Sequence, residues 1–243
     1  MKTRTTYVVG GVRIPFMKSM TAYRDVTTPE LMTASLKSLV ERYNLKGKVV
    51  GDVALGALMQ SSANWNFARE VVQASGLHPN TPAYNVQRAC GTSLETTIQI
   101  AHKISSYQIE SGIAGGVDSN SDLPIMVTRS FSQKLVALNS ARTLGEKLRI
   151  FLSFRPSDLK PVPPAVVEPR TGKSMGEHCE LMVKEWKISR QEQDELALAS
   201  HLNAAKAYKD GFYADLVFPF LGKSTDGIMR GDTTLEKLAK LKP

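Results

Sequence analysis

The sequence predicts an α/β protein, in which a mixed sheet carries helices on both faces. Over residues 1–121, short apolar runs typical of strands alternate with segments of helical periodicity. The chain has 243 residues, of which 42% are hydrophobic and 22% are charged. This composition is that of a folded globular protein with a packed core, and it excludes intrinsic disorder.

The first two elements are predicted from an apolar run and a helix start signal. The run TYVVGG, residues 6–11, is predicted to be a strand. A helix is predicted to start at Thr28, because a hydroxyl cap is followed by Pro29 at the first helical position and by Glu30 in the first turn. The apolar stripe of this helix consists of Met32, Leu36, Leu39, Val40 and Tyr43.

Two further strand and helix steps lead to a cysteine. Residues 52–59 and 83–87 are predicted strands, and the helix between them is predicted to stop at Gly76. A third helix is predicted after Gly91, and its weak amphipathicity predicts that it is largely buried. A strand ending in glycines follows over residues 110–122. The face expected to be buried on the third helix comprises Leu94, Ile98, Ala101 and Ile104/Ser105, with Ile100 beside it.

The second half of the chain is predicted to be mostly helical. Residues 132–156 are basic and helix-like, and a proline-rich connector follows over residues 158–172. Ser189 and Glu192 form a capping box, which opens a helix that is predicted to end before Gly211. A last helix is predicted within residues 232–241.

Charge and cysteine content limit the classes of partner and compartment. The formal net charge of +8 predicts anionic partners, such as nucleic acid, acidic lipids or nucleotide-bearing metabolites. Nucleic acid is disfavoured because the basic residues are scattered and no nucleic-acid-binding motif is present. Two cysteines, Cys90 and Cys179, form neither a disulfide framework nor a metal cluster, which suits a reducing compartment. We expect a cytoplasmic protein, since no secretory or membrane-spanning apolar run is found.

The position of Cys90 predicts a nucleophile. It lies between a predicted strand and a predicted helix, where the unpaired N–H groups of the first helical turn favour the thiolate form. The same N–H groups are able to stabilise the oxyanion that forms when a thiolate attacks a carbonyl. Gly91 allows a ligand to approach the backbone closely. The local pattern leaves open an inert, buried cysteine, because free cysteine is among the most buried residue types.

The sequence offers no general base for Cys90. His102 is twelve residues further along the same predicted helix, roughly 18 Å away at 1.5 Å per residue. The other histidines, His78, His178 and His201, fall in unrelated segments. Local sequence chemistry therefore accounts for the nucleophile and for half of a mechanism.

The segment QRACGTSLET, residues 87–96, resembles the nucleophile loop of the thiolases, the family of acetyl-CoA acetyltransferases and 3-ketoacyl-CoA thiolases. A condensing synthase carries a similar Ala-Cys-x-x-Ser turn, but here the resemblance continues along the chain. It includes GGVRIPF, GALMQSSANWNFAREV, AGGVDSNSDLP, SMGEHCELM, ISRQEQDELALASH and GDTTLEKLAKLKP. The resemblance implies a thiolase-like layered fold, of which this chain holds one incomplete half and a mostly helical loop domain.

The resemblance also implies roles for three residues. Cys90 is the residue that becomes acylated, Met175 lines the pantetheine path, and Arg230 meets the adenine-phosphate end of coenzyme A. Arginine suits such a ligand, because its planar guanidinium pairs with phosphate oxygens or stacks on a ring. Many thiolases have His immediately before the methionine, whereas this chain has Ser174. No separate cofactor and no metal is implied, since coenzyme A and acyl-CoA are substrates.

The resemblance divides the chain into residues 1–121, the nucleophile-bearing amino-terminal half, and residues 122–243, a loop domain over the coenzyme A site. The carboxyl half of a thiolase would supply an Asn-containing loop, a Gly-x-x-x-His base and a Cys-x-Gly-x-Gly cysteine, and none occurs in residues 1–243. We therefore expect an incomplete sheet and no thiolysis by this chain alone. An alternative reading is a non-catalytic module that binds coenzyme A or a partner.

The family resemblance extends to partners. Thiolases are dimers or tetramers, so a homo-oligomer is expected. The insert over residues 131–164 looks closest to β subunits of fatty-acid-oxidation trifunctional complexes, which use this region to contact a partner subunit or a membrane. A solvated helix over the active site is the alternative for this insert.

Overall fold

A computed structural model describes residues 3–242, which form two compact units. Residues up to 122 and from 186 onwards belong to the first unit, and residues 123–185 form the second. Among the described residues, none of the helices is both long enough and apolar enough to cross a membrane. The two units are defined by contacts within the chain and do not test the loop domain that the resemblance assigns to residues 122–243, which stays a prediction.

The first unit is built on strand and helix steps. In chain order its elements are α1 Thr28–Arg42, β1 Asp52–Gly56, α2 Phe67–Ser75, β2 Ala83–Val86, α3 Thr92–Ser105, β3 Gly112–Gly116, α7 Arg190–Lys209 and α8 Leu235–Ala239. The second unit contains β4 Met126–Val127, α4 Arg129–Ser140, α5 Leu144–Leu152 and β5 Pro161–Val162, and α6 Met175–Trp186 begins within it.

The sheet of the first unit has the order β2-β1-β3, and all three strands are parallel. The central strand β1 is buried on both faces, as parallel strands usually are. Val53 and Leu55 pack with α1 and α2 in the larger core cluster. Ala54 points to the opposite face, where it packs with Ile100 of α3. Helices therefore cover both faces of the sheet, as predicted.

The cap of α1 differs from the predicted one by one residue, and the predicted first strand does not form. The helix α1 is capped by Thr27 rather than Thr28, and a full capping box joins Thr27 to Glu30. The predicted first strand, TYVVGG, forms no strand in the structure. Its β-branched and aromatic residues have strand propensity, but no neighbouring strand pairs with them among the described residues.

The face of α3 that is buried in the structure differs from the predicted one. The buried residues are Thr92, Thr96 and Ile100, spaced four residues apart. Leu94 and Ile98, which were expected in the core, are 66% and 39% exposed. The small and polar side chains of the buried face fit closely against the glycine-rich strand ends, where larger apolar side chains have no room.

A partly buried ion pair joins the chain after α6 to the amino-terminal residues of the first unit. Arg13 donates two hydrogen bonds to the carboxylate of Asp226, at 2.7 and 2.9 Å. Asp226 also accepts the backbone N–H of Phe16. The guanidinium of Arg13 lies 4.4 Å from the centre of the Phe16 ring, which adds a cation–π contact. Because the pair is bidentate and sheltered, it holds these segments in register.

The second unit contains an ion pair at a buried carboxylate. Lys134 Nζ in α4 lies 2.5 Å from Asp158 Oδ2, and Asp158 also accepts the backbone N–H of Arg155. The hydrogen bond from Lys134 and that from Arg155 lower the pKa of Asp158 to about 2. Asp158 is buried, so its carboxylate depends on Lys134 for its compensating charge.

We predict that Lys134→Met loosens the second unit at neutral pH. Because the folded-state pKa of Asp158 is depressed, its stabilising contribution is present above about pH 4 and is lost as the pH falls through about 2. Hydrogen exchange of the α4 amides, compared between pH 7 and pH 2, measures this contribution. The variant should exchange faster than the parent at pH 7, and the difference should shrink below pH 4. Lys147→Met, at an exposed lysine of α5, is the matched control, and equal exchange in both variants would contradict the prediction.

Candidate active site around Cys90

Cys90 is exposed and lies in a tight turn between β2 and α3. The N–H of Gly91 donates to the carbonyl of Arg88 at 3.0 Å, which closes the turn. Ala89 has a φ of 46°, in the left-handed region that costs an L-residue about 1–2 kcal/mol. Strained backbone of this kind is concentrated at functional sites, because the surrounding structure must hold it in place. The inert, buried alternative for Cys90 is excluded by its exposure.

Thr92 holds the strained turn in place. Its hydroxyl accepts the N–H of Arg88 at 2.9 Å and donates to the carbonyl of Ala89 at 2.7 Å. The Thr92 side chain is buried against the end of β1, where a Cβ on Gly56 would lie 2.3 Å from its methyl carbon. The packing of α3 on β1 is therefore possible only with glycine at position 56.

Three amide groups at the start of α3 are free to receive an anion. Among the described residues, no backbone or side-chain acceptor takes the N–H groups of Cys90, Ser93 or Leu94. Such orphan donors carry the positive end of the helix dipole. Free N–H groups beside an exposed cysteine are an arrangement that stabilises the oxyanion formed when a thiolate attacks a carbonyl.

Glu95, the acid in the first turn of α3, has its carboxylate bonded to two neighbouring side chains. Glu95 accepts a hydrogen bond from Gln99 at 2.9 Å and pairs with Arg88 at 2.8 Å. The hydrogen bond from Gln99 and the charge of Arg88 lower the pKa of Glu95. Because its carboxylate is bonded to these two partners, Glu95 adds less negative potential to the start of α3 than an unpaired acid would.

A polar network supports the end of β2, from which the Cys90 turn departs. Gln60 donates to the carbonyls of Ala57 and Val86, at 3.3 and 3.2 Å. Asn85 donates to Gln60 Oε1 at 3.2 Å and accepts the N–H of Ala68, near the start of α2, at 2.8 Å. The network ties β1, β2 and α2 together immediately before the turn.

Asp118 bonds to the backbone of the loop that follows β1. Its carboxylate accepts the N–H groups of Leu58 and Met59, at 2.8 and 3.4 Å. Neither Gln60 nor Asp118 was singled out from the sequence, and Thr92 was not either. The available signal was the position of these residues close to a strand end or a helix start, where polar side chains commonly bond to backbone groups.

Met175 is the first residue of α6, in the second unit, and its side chain is 75% exposed. The preceding Ser174 caps the helix. Its hydroxyl donates to Glu177 Oε2 at 2.8 Å and accepts the N–H of Glu177 at 3.3 Å. The donor and one acceptor site of the Ser174 hydroxyl are therefore engaged in the helix cap.

Arg230 lies in the segment before α8, and its side chain is exposed without an ion pair among the described residues. Its backbone N–H donates to His201 Nδ1 at 3.3 Å. His178 bonds to Thr171, and His78 accepts the N–H of Asn80. These three histidines thus make local hydrogen bonds. No described hydrogen bond or ion pair joins Cys90 to Arg230.

Comparison with known proteins shows the family to which the chain belongs. A family model described as the thiolase N-terminal domain matches residues 6–243. The 3-ketoacyl-CoA thiolase of Photobacterium profundum is 40% identical over 242 residues, which cover 97% of this chain and 56% of that protein. The 3-ketoacyl-CoA thiolase of Shewanella sp. (strain W3-18-1) is 40% identical over 244 residues, with coverage of 97% and 56%.

A solved structure extends the agreement to the fold. The crystal structure of the Bacillus anthracis acetyl-CoA acetyltransferase matches with a TM-score of 0.81 and 27% identity, over 100% of this chain and 60% of that chain. The fold and the site thus define an α/β protein that presents a cysteine at the start of a helix packed on the sheet. The chain belongs to the thiolase family, and residues 6–243 correspond to the N-terminal domain of that family. It spans about half the length of the curated relatives that it matches.

We predict that Arg88→Met slows the reaction of Cys90 with iodoacetamide about two- to fivefold at low ionic strength, because the variant removes the positive charge that pairs with Glu95 in the first turn of α3. The measurement is made in a Cys179→Ser background, so that one cysteine reacts. Adding Glu95→Gln removes the uncompensated charge and should restore the rate. An unchanged or faster rate in the single variant would contradict this account of the site.

Proposed function

We propose that the protein acts as an acyl-CoA C-acyltransferase, in which Cys90 is the nucleophile. The observation that carries the proposal is an exposed cysteine on a strained turn beside three unpaired N–H groups. The full reaction would be cleavage of a 3-ketoacyl-CoA by coenzyme A, or condensation of two acyl-CoAs in reverse. Relatives with the printed name 3-ketoacyl-CoA thiolase support this reaction class.

The step assigned to this chain is formation of an acyl-cysteine. The Cys90 thiolate attacks the thioester carbonyl carbon, and the oxyanion is stabilised by the N–H groups at the start of α3. A carbon–sulfur bond to Cys90 forms while the bond to the sulfur of coenzyme A breaks. Coenzyme A leaves as the thiolate and takes a proton from water. The step needs no redox partner, and the proposal includes no cofactor besides the substrates.

Two residues are proposed to bind the coenzyme A part of the substrate. Arg230 would meet the adenine-phosphate end, and Met175 would line the pantetheine path. The exposed guanidinium of Arg230 supports its role, because it forms no ion pair within 4 Å among the described residues, although the nearby Asp232 carboxylate feels its charge. The net charge of +8 favours the approach of a polyanionic ligand.

A second candidate function is a non-catalytic module that binds coenzyme A or a partner subunit. The same unpaired Arg230 favours it, since binding of a phosphate needs no nucleophile. The two functions differ in one observable, which is covalent acylation of Cys90.

We predict that incubation with acetyl-CoA adds one acetyl group to Cys90, detected by intact mass and peptide mapping. Cys90→Ser should abolish the adduct. Cys179→Ser is the matched control, because Cys179 is also a free, exposed cysteine, and this variant should be acetylated like the parent. Acetylation of both cysteines alike would indicate unspecific chemistry. Calorimetric binding of coenzyme A without an adduct would favour the non-catalytic module.

The same samples test the expected lack of turnover. With acetoacetyl-CoA and coenzyme A, this chain alone should give no multiple turnover, because it has no Gly-x-x-x-His base and no Cys-x-Gly-x-Gly cysteine. Turnover that survives Cys90→Ala would contradict both the assigned nucleophile and the expected inactivity.

We propose a homo-oligomer, a dimer or a tetramer, in a reducing compartment such as the cytoplasm. Membership of the thiolase family supports the homo-oligomer. Two free, exposed cysteines support the reducing compartment. Light scattering coupled to gel filtration measures the oligomeric state.

We also propose that residues 131–164 make a weak contact with an anionic membrane surface. In α5 the side chains of Leu144, Leu148, Phe151 and Leu152 lie at helical spacings of three and four residues, and all are exposed. The segment 131–164 has six basic and two acidic residues, a balance that suits anionic headgroups. An apolar face flanked by positive charge is typical of helices that lie in a membrane interface. A β-oxidation partner subunit is the competing occupant.

We predict that the protein cosediments with vesicles of phosphatidylserine and phosphatidylcholine, in a mole ratio of about three to seven, and that salt weakens the binding. Leu148→Glu should reduce the bound fraction at least about threefold, because it puts a charge in the apolar face of α5. Leu196→Glu, at an exposed leucine of α7, is the matched control and should bind like the parent. Equal binding by the two variants, or no binding, would assign the face to a protein partner instead.

A further inference from the structure

A polar cavity of about 510 Å³ lies within the second unit, and its lining includes no residue of the Cys90 turn. Its walls come from the start of α4, from the segment that follows α5, and from a 3₁₀ turn over Pro156–Leu159. All seven lining side chains are polar, and they comprise four hydroxyls, two cations and one acid. Ligand cavities are usually lined mostly by apolar side chains, so this lining favours a small, charged ligand.

The acid of the lining, Asp158, has its charge balanced within the protein. Lys134 Nζ and the backbone N–H of Arg155 both donate to Asp158 Oδ2, at 2.5 and 2.8 Å. The Asp158 side chain is 6% exposed, so its carboxylate is sheltered as well as paired. The charges of Lys134 and Asp158 cancel, and the remaining charged side chain of the lining, Arg155, gives the cavity a net charge of +1. The cavity therefore attracts an anion.

Two side chains at the cavity carry donors that the protein leaves unused. The guanidinium of Arg155 is exposed, and among residues 3–242 it forms no ion pair within 4 Å and donates no described hydrogen bond. The hydroxyl of Ser157, two residues further on, has no described partner either. The backbone between them is held by the bond from the Arg155 N–H to Asp158, and the ring of Pro156 fixes a further backbone angle. The free donors are thus presented from a fixed turn.

Lys134 Nζ supplies a third donor at the same cavity. Of its three protons, one is directed to Asp158 and one to the carbonyl of Ser153, at 2.8 Å, which leaves one free. Arginine offers a planar pair of N–H groups, whereas a hydroxyl and the remaining ammonium proton are single donors. Together these groups match an anion with three acceptor oxygens better than a carboxylate, which has two. The phosphate of a monoester has three such oxygens.

We propose that this cavity is a binding site for a phosphate monoester, which is held by Arg155, Ser157 and Lys134. The site lies outside the residues assigned to acyl transfer and to coenzyme A, and binding involves no covalent step. Two sources carry this chemistry, a soluble phosphorylated metabolite and the headgroup of a lipid such as phosphatidic acid. The exposed Phe151 and Leu159, which are close in sequence to lining residues, would contact the acyl chains of a lipid.

Calorimetric titration of the whole chain with inorganic phosphate tests the proposal. It is done at about pH 8 and constant ionic strength, so that phosphate is present as the dianion and screening does not change. We expect one saturable site per chain. Arg155→Met should weaken the binding at least about tenfold, and Ser157→Ala about threefold, because each removes donors and leaves the backbone bonds intact. Lys147→Met, at an exposed lysine of α5, is the matched control and should bind like the parent.

Lys134 is kept in all these variants, since its removal would leave Asp158 buried and unpaired. If Arg155→Met does not fold, Ser157→Glu puts a carboxylate at the same cavity from an exposed position, and it should abolish phosphate binding by repulsion. Hydrogen exchange locates the site. Phosphate should slow the amides of residues 128–134 and 153–159 at least about threefold, with those of α7 as the internal reference.

A second arm of the experiment distinguishes the two sources. Binding of inorganic phosphate and of glycerol phosphate, both weakened by Arg155→Met, assigns the site to a soluble ligand. Cosedimentation with phosphatidic acid vesicles that Arg155→Met reduces, without binding of the soluble probes, assigns it to a lipid headgroup. Leu148→Glu separates this site from the membrane contact proposed for α5, because it should retain binding of soluble phosphate even where vesicle binding is lost.

Two results would overturn the proposal. The first is that neither inorganic phosphate nor phosphatidic acid vesicles bind in a way that depends on Arg155. The second is loss of phosphate binding in Arg230→Met but not in Arg155→Met, which would assign the phosphate to the segment before α8.

Discussion

The hydroxyl of Thr92 is the interaction on which the candidate site depends. It bonds at once to the N–H of Arg88 and to the carbonyl of Ala89, and so it closes the turn that carries Cys90. Holding Ala89 in the left-handed region costs about 1–2 kcal/mol, which two buried hydrogen bonds of about 1 kcal/mol each are able to offset. Without this bond the turn is free to relax, and Cys90 loses its fixed place beside the orphan N–H groups of α3.

The same constraint explains why the strands end in glycine. A Cβ on Gly56 would lie 2.3 Å from the methyl carbon of Thr92, and a Cβ on Gly116 would lie 2.2 Å from Ser93 Oγ. The start of α3 therefore sits directly on the ends of β1 and β3. Close contact of this kind fixes the distance of the helix from the sheet, so the position of Cys90 follows from two glycines in distant segments.

Local signals predicted the elements that depend on local chemistry. The capping box of Ser189 and Glu192 and the left-handed Gly76 were predicted correctly, because caps involve residues near in sequence. The resemblance of the chain to the thiolases was confirmed by the family match. The roles of Cys90, Met175 and Arg230 stay predictions.

Packing between residues that are far apart in the chain could not be predicted from local sequence patterns. Leu94 and Ile98 have the spacing of a buried stripe, but the side of α3 that meets the sheet is chosen by Gly56 and Gly116, which accept only small neighbours. The run TYVVGG has residues typical of a strand, but no described strand pairs with it. A strand is stable only as part of a sheet. The support of the loop by Gln60 joins residues 25 positions apart, which no local pattern encodes.

The groups assembled around Cys90 suit the acyl transfer proposed for it. Attack on a thioester needs a nucleophile and donors for an oxyanion, and both are formed by residues 88–94 with no contribution from other segments. Carbon–carbon cleavage also needs a group that moves a proton at the substrate, and no described hydrogen bond joins Cys90 to a histidine outside α3. The proposed acyl-cysteine is therefore a property of one short turn, whereas turnover requires a second set of residues brought to it.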